Sequence, residues 1–233
     1  LQSKPARSNS LAVNLSKYQT IIFDCDGVIL NSNDLKIAAL QLSLEYISAP
    51  SNFIDWATNE FRTNFGRTRA EHYKMFFINA QLKGLHIKQE DINISIKCYA
   101  ENVVKLYKDC EVISETIEYI KNLPLSSKIF VVSASDQAEL RSVLPAKCLR
   151  IQPNRIYGGP LTKIENINNV MNLTGQNLYY FYGDSVQDAK AAIECGVEFY
   201  GLSKYSADEK SLRDFCISKN LVCYSDCLEL LEK

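Results

Sequence analysis

The rhythm of apolar and polar positions changes twice along this chain. Tyr18 to Cys25 reads as a strand, an apolar run that stops at two carboxylates and a glycine. From about Asp34 to Tyr107 the apolar positions fall instead at helical spacing. Leu35, Ala38, Ala39 and Leu42 form one stripe, and Phe53, Trp56, Ala57 and Phe61 a second. Tyr73, Phe76, Phe77 and Ala80 form a third, and Ile96, Ala100, Val103, Val104 and Tyr107 a fourth. After this stretch short apolar runs return and alternate with helical segments. Lys128 to Val132 reads as a strand ending at Ser133-Ala134-Ser135, and Asp136 to Leu144 as a helix capped by Ser135 or Asp136. Arg155–Tyr157, Leu178–Tyr182, Glu198–Leu202 and Leu221–Tyr224 read as further strands, with helices over Thr162–Asn172 and from Ser185 to Cys195. Strands alternating with helices imply an α/β fold, a doubly wound parallel sheet covered on both faces. The expected division is a polar tail over residues 1–17, an α/β core over 18–33 and 109–233, and a helical insert over 34–108.

Composition narrows the function classes. The 233 residues are 46% apolar and 23% charged, ordinary for a globular chain of this size. A formal net charge of -1 gives no basic excess for nucleic acid, and no run approaches the roughly 18 apolar residues of a membrane span. The N-terminal stretch lacks a signal-peptide apolar core, so a cytoplasmic location is expected, as a monomer or homodimer. The eight cysteines are scattered among helical patterns. Cys223 and Cys227 have no second Cys or His pair to complete a zinc site, and with only His72 and His86 a zinc–histidine enzyme is not expected. The cysteines read as reduced, mostly small buried residues.

The chemistry sits where strands end. Asp24 and Asp26 flank Cys25 and precede Gly27; if extended geometry continued they would share a face. Such a pair can hold a hard cation through oxygen and still offer a carboxylate nucleophile. Ser133 ends the second strong strand. Asp184 ends a third, and Asp188 lies one helical turn further on. Lys163 opens a helix after Gly158-Gly159-Pro160. In doubly wound sheets, ligands gather at the carboxyl ends of strands.

With these segments in this order, the chain resembles the haloacid dehalogenase-like hydrolase superfamily, in its phosphatase and phosphomutase branch. Asp24-Cys25-Asp26-Gly27-Val28 matches the first motif, Ser133 the second, Lys163 the third, and Gly183-Asp184-Ser185-Val186-Gln187-Asp188 the fourth. The resemblance implies a Rossmann-like core, with the helical insert as a cap. It implies Asp24 as nucleophile, forming an aspartyl-phosphate, and Asp26 as acid and then base. It implies Mg²⁺ held by Asp24, the Asp26 carbonyl and Asp184, with Asp188 orienting Lys163 or a metal-bound water. Ser133, with backbone N–H groups such as that of Ala134, and Lys163 would bind phosphate.

The substrate class implied is a small phosphorylated metabolite, a sugar phosphate or a short organic acid phosphate such as phosphoglycolate. Gly66-Arg67-Thr68-Arg69 resembles the cap's specificity segment, and Arg67 or Arg69 would grip a carboxylate, a second phosphate or sugar hydroxyls. β-Phosphoglucomutases carry a His ten residues beyond the second Asp, where this chain has Lys36, and Asn31-Ser32 stands where many relatives have Asp-Ser or Asp-Thr. Hydrolysis is therefore expected ahead of a phosphomutase reaction. A catalytically silent binding protein is the third alternative, and retention of both first-motif aspartates and Asp184 speaks against it.

Overall fold

The computed structural model of the chain describes residues 19–148, 150–175 and 178–231. The expected tail, residues 1–17, and the expected strand start at Tyr18 lie outside the described residues. Six strands, all parallel, form one sheet: β1 (Thr20–Phe23), β2 (Lys128–Asp136), β3 (Ile156–Gly159), β4 (Tyr179–Gly183), β5 (Glu198–Leu202) and β6 (Val222–Tyr224). Their order is β3-β2-β1-β4-β5-β6. The chain winds outward from β1 to β3, then crosses back to β4 on the other side of β1. The carboxyl ends of β1 and β4 therefore flank the point where the winding reverses, the position at which such sheets open a crevice.

Of the five helices between β1 and β2, the first four are α1 (Asn33–Tyr46), α2 (Ser51–Thr63), α3 (Arg69–Leu82) and α4 (Gln89–Asp109). They form a layer over the carboxyl edge of the sheet. Five more flank the sheet itself: α5 (Ser114–Asn122), α6 (Gln137–Lys147), α7 (Lys163–Thr174), α8 (Val186–Cys195) and α9 (Glu209–Lys219). Among the described residues, no helix is long and apolar enough to cross a membrane.

Several strand ends differ from the sequence reading, β3 running to Gly159 rather than Tyr157. β1 stops at Phe23, because the backbone N–H groups of Val28, Ile29 and Leu30 all turn back onto the Cys25 carbonyl. Extended geometry does not continue through the acidic pair. β2 runs on past Val132 to Asp136, where its pairing with β3 resumes after a register shift and sets Asp136 opposite Gly159. The buried face of α1 is also rotated. It buries Ile37, Leu40 and Leu44, while Leu42 is 52% exposed. The face carries polar groups that an apolar count misses. Ser43 Oγ lies 2.9 Å from Tyr73 Oη, and Ser95 Oγ donates to Ser43 Oγ at 3.1 Å, so three hydroxyls satisfy one another inside the helical layer.

Each face of the sheet has its own core. Ile22, Phe130, Val132, Phe181 and Phe199 pack with buried residues of α7, α8 and α9. The opposite face carries Ile21 and Phe23 and a row of rings across four strands. Phe23 stacks on Tyr182 at 5.1 Å, Tyr182 on Tyr200 at 5.4 Å, and Tyr200 on Tyr224 at 6.0 Å. Stacked aromatic pairs of this kind add to the area they bury. α5 covers the row, and Tyr119 Oη meets Tyr182 Oη at 2.9 Å in a buried pair. The single tryptophan, Trp56, lies in the helical layer between Phe53 and Phe76, with Lys83 Nζ 5.1 Å from its ring.

Tyr182→Phe is expected to lower stability by about 1–3 kcal/mol, since it strands the Tyr119 hydroxyl in the core. Adding Tyr119→Phe should recover part of that loss, because neither hydroxyl is then left alone. Denaturant unfolding of the two single variants and the double variant gives the coupling directly.

Candidate active site

The turn after β1 points its two carboxylates to different partners. Asp24 Oδ2 accepts from Lys163 Nζ at 2.9 Å, and its N–H donates to the Tyr182 carbonyl of β4 at 2.8 Å. Asp26 faces the helical layer. Its Oδ1 accepts from Ser32 Oγ at 2.6 Å and Tyr107 Oη at 2.8 Å, and its Oδ2 from Lys36 Nζ at 3.0 Å and Ser135 Oγ at 2.7 Å. Gly27 makes the separation possible. Its φ is +73°, and a Cβ there would fall on the Asp184 carboxylate.

Asp184 and Asp188 come from the end of β4 and the first turn of α8. Asp184 Oδ2 accepts from Asn33 Nδ2 at 2.7 Å. Asp188 closes a capping box with Ser185 and pairs through Oδ1 with Lys163. Lys163, the first residue of α7, is thus a buried ammonium shared by Asp24 and Asp188. One carboxylate oxygen each from Asp24, Asp184 and Asp188 lies within 4.8 Å of the others.

This crowding decides the protonation of the group. Burial raises the Asp24 carboxyl to about 7, with Asp188 and Asp26 adding to the rise and Lys163 opposing it. Burial, then Asp24 and Asp188, push Asp184 well above the ordinary carboxylate range. Asp26 goes the other way: burial would raise it, but Lys36 and the Ser32 and Ser135 hydroxyls pull it down to about 2. The site thus holds one firmly ionised carboxylate and a separate group whose negative charge is under-compensated. Asp24 Oδ1 is buried without a partner. Three oxygen donors and an orphaned oxygen fit a hard divalent cation of the Mg²⁺ type.

The other residues picked out from sequence sit around this centre. Ser133 is buried, and its Oγ accepts from the Ser135 N–H at 3.2 Å. Ala134 lines a cavity closed from above by Arg67, Arg69, His72 and Tyr99. That cavity measures about 20 Å³, room for roughly one water molecule. Arg69 lines it while paired with an acid, its Nε buried without a partner among the described residues. Its Nη2 bonds both oxygens of Glu139 in α6, at 2.8 and 2.7 Å, and its guanidinium lies over Tyr99. Among the described residues Arg67 has no acidic partner within ion-pair distance; its Nη1 lies 3.8 Å from Met75 Sδ. Burial, then Lys36 and Arg67, lower His72 to about 3, so the ring is neutral. Gly66, with φ +94°, lets the loop before α3 settle on the core, where a Cβ would meet Ser185 Oγ at 2.8 Å and Gln187 Cβ at 2.9 Å.

Sequence reasoning passed over five polar groups here. Ser32, Asn33 and Lys36 lie at the start of α1, Tyr107 near the end of α4, and Ser135 in β2. Lys36 stood out only as a departure from the mutase pattern. Its signal as a partner was positional: Ser32, Asn33 and Lys36 crowd one helix start six to ten residues beyond Asp26.

Comparisons with known proteins bear on the family and the fold. The family model described as haloacid dehalogenase-like hydrolase matches residues 21–202. No curated protein matches the sequence. A predicted phosphoglycolate phosphatase from Haemophilus somnus is similar in structure, with a TM-score of 0.74, 16% identity, and coverage of 93% of this chain and 98% of that one. A predicted phosphatase from Clostridium acetobutylicum superposes with a TM-score of 0.71 at 16% identity, over 93% and 98% of the two chains. A hydrolase from Pseudomonas syringae does so with a TM-score of 0.68 at 19% identity, over 91% and 96%. At these identities the likeness is one of fold.

Mg²⁺ is expected to raise the melting temperature, by roughly 5–10 °C at a hundredfold excess over Kd. The gain should be larger at pH 8 than at pH 5. Asp24 and Asp184 have folded pKa values raised above their unfolded ones, so below about pH 7 they hold protons that the cation must displace. Asp184→Asn should remove most of the gain at both pH values. Thermal scans with and without Mg²⁺ measure all three.

Proposed function

This chain belongs to the haloacid dehalogenase-like hydrolases, and on that premise we propose that it is a Mg²⁺-dependent phosphatase acting on a small phosphorylated metabolite. The observation that carries the reading is the division of labour between the two first-motif carboxylates. Asp24 shares Lys163 with Asp188 and stands beside Asp184, while Asp26 is turned away from that group and ringed by donors. The cation beside Asp24 suits a carboxylate nucleophile, and the separate setting of Asp26 leaves it free to act as a second, proton-carrying group once its hold on Lys36 loosens.

In this reading an oxygen of Asp24 attacks phosphorus, and the bond to the substrate's ester oxygen breaks. Asp26, having taken a proton from solvent once Lys36 has moved away, hands it to the departing alkoxide. It then takes one from the water that attacks the aspartyl-phosphate, which frees Asp24 and inorganic phosphate. Asp24, Asp184 and Asp188 are the residues to hold Mg²⁺, which when bound supplies positive charge against the phosphoryl oxygens. Lys163 neutralises charge on the same side, and Ser133 with the Ala134 N–H binds phosphate oxygens. Lys36 keeps Asp26 ionised between turnovers and must loosen its hold before Asp26 can carry a proton.

The segment 34–108 acts as a mobile cap over a core of 18–33 and 109–233. A cavity of about 20 Å³ does not admit a phosphate ester, so the cap has to lift for each turnover. Beside it, a crevice of about 180 Å³ between cap and core, walled by Ile96, Ala134 and Pro160, gives space for a leaving group the size of a sugar or short organic acid. Arg69, paired with Glu139, is the cation that lines this crevice, and Arg67 lines the small cavity beside it. The small cation-lined cavity and the second ionised aspartate fit phosphate-ester hydrolysis; no observation favours the mutase alternative.

Asp24→Asn is expected to lower kcat by more than about a thousandfold, roughly 4 kcal/mol of barrier, with the fold retained. A phosphate-release screen across phosphorylated metabolites with Mg²⁺, run on wild type and variant, tests both the activity and the nucleophile. Release by neither protein from any substrate would overturn the phosphatase reading.

Asp26→Asn should separate substrates by leaving group. General acid catalysis is worth about 10²–10⁴-fold, and most of that is lost where the departing alkoxide is basic. An alkyl phosphate should therefore slow at least tenfold more than p-nitrophenyl phosphate. Equal losses on both would remove Asp26 from the proton-transfer role.

A further inference from the structure

Two thiols far from the acidic centre converge on one spot at the edge of the sheet. Cys223 lies in β6, directly opposite Gly201 of β5 in the parallel pairing. Cys216 lies in the last turns of α9, which packs on the same face. Gly201 leaves room for both sulfurs. A Cβ there would meet Cys223 Sγ at 2.9 Å and Cys216 Sγ at 3.3 Å, so the two sulfurs crowd a single point. The chain is folded back to bring them together. Asn220 takes a left-handed conformation and the Leu221 N–H donates to the Cys216 carbonyl at 2.9 Å, which turns α9 straight into β6.

The two thiols are unequal in ways that suit a reaction. Cys216 is 1% exposed, while Cys223 is half-buried on an edge strand. A hydrogen bond from Cys216 holds the Cys223 thiol below the usual range against its burial, and Arg213 lowers it further, favouring the thiolate there. Burial raises Cys25, Cys110, Cys148, Cys195 and Cys227 instead. Cys227 is occupied elsewhere, accepting from Thr116 Oγ1 at 3.5 Å. All eight cysteines are free thiols in this structure.

We propose that Cys216 and Cys223 form a peroxide-reactive dithiol, with Cys223 the attacking thiol and Cys216 the resolving one. The Cys223 thiolate attacks one oxygen of a hydroperoxide, the O–O bond breaks, and a proton from solvent completes the leaving water or alcohol. Cys223 is left as a sulfenic acid. Cys216 sulfur then attacks Cys223 sulfur and expels its hydroxyl, which takes the Cys216 proton and leaves as water. The thiols lose two electrons in total and the peroxide gains them. The product disulfide ties the end of α9 to the edge strand β6, and reduction by a small thiol restores the pair.

The test is mass spectrometry of the intact, folded chain treated with near-stoichiometric hydrogen peroxide, alkylated and digested with trypsin. The expected product joins the peptide Asp214–Lys219 to the peptide that begins at Asn220, about 2 Da lighter than the two free peptides together. Fragmentation should place the link on Cys223 and not on Cys227, and a reducing agent should remove it. In Cys216→Ser, Cys223 should remain as a sulfenic acid that dimedone traps. A link through Cys227, or full alkylation of both Cys216 and Cys223 after peroxide, would overturn the proposal. So would stepwise oxidation of Cys223 in wild type to sulfinic acid without a link. These readouts do not depend on what the acidic centre does.

Discussion

Three buried carboxylates lie within one small volume, and a single ammonium group stands between two of them. Everything around the carboxyl ends of β1 and β4 follows from that imbalance. Lys163 is committed to Asp24 and Asp188, so among the described residues Asp184 has only the Asn33 amide to meet its charge. Burying unpaired carboxylates is costly unless a cation or protons relieve them. The fold keeps the arrangement because the residues come from rigid places: the end of a central strand, the first turn of α7, and a capped first turn of α8. On the proposed reading, that unrelieved charge is what would favour a divalent cation at this site.

Asp26 shows the same principle with the sign reversed. It is over-supplied, taking hydrogen bonds from three hydroxyls and an ammonium. Three of the four donors, Ser32, Lys36 and Tyr107, lie at or beside the ends of α1 and α4, the two helices through which the chain enters and leaves the helical layer. Moving that layer therefore changes the hydrogen bonding of Asp26 directly. The Arg69–Glu139 pair ties the layer to α6 at a second place. On the proposed reading, these bonds would couple the position of the helical layer to the protonation of Asp26.

The fold was legible because the rhythm of the sequence is strong where the sheet is buried on both faces. Glu198–Leu202 was read with its observed bounds, and Leu178–Tyr182 within one residue at either end. The reading failed at Ser133-Ala134-Ser135, taken as a strand end, because small polar residues can continue a strand when a neighbour such as β3 pairs with them. It also failed on the face of α1, where Ser43 is buried among hydroxyls and Leu42 is not buried at all. In the site, Asp24, Lys163, Asp184 and Asp188 each interrupt an apolar pattern or open a helix, so each announced itself locally. Tyr107 did not, because its ring counts as apolar in a helical stripe and only its hydroxyl reaches Asp26. Glu139 did not either, since nothing in the sequence links it to Arg69 seventy positions away.

The aromatic residues are partitioned between the two halves of the molecule. The stacked row of tyrosines belongs to the sheet, and the only tryptophan belongs to the helical layer, packed between two phenylalanines and under a lysine. Light absorbed at the red edge of the protein band excites indole and leaves phenol untouched. The emission of Trp56 is consequently a private optical channel from the helical layer. It reports the surroundings of Phe53, Phe76 and Lys83 without any label being attached.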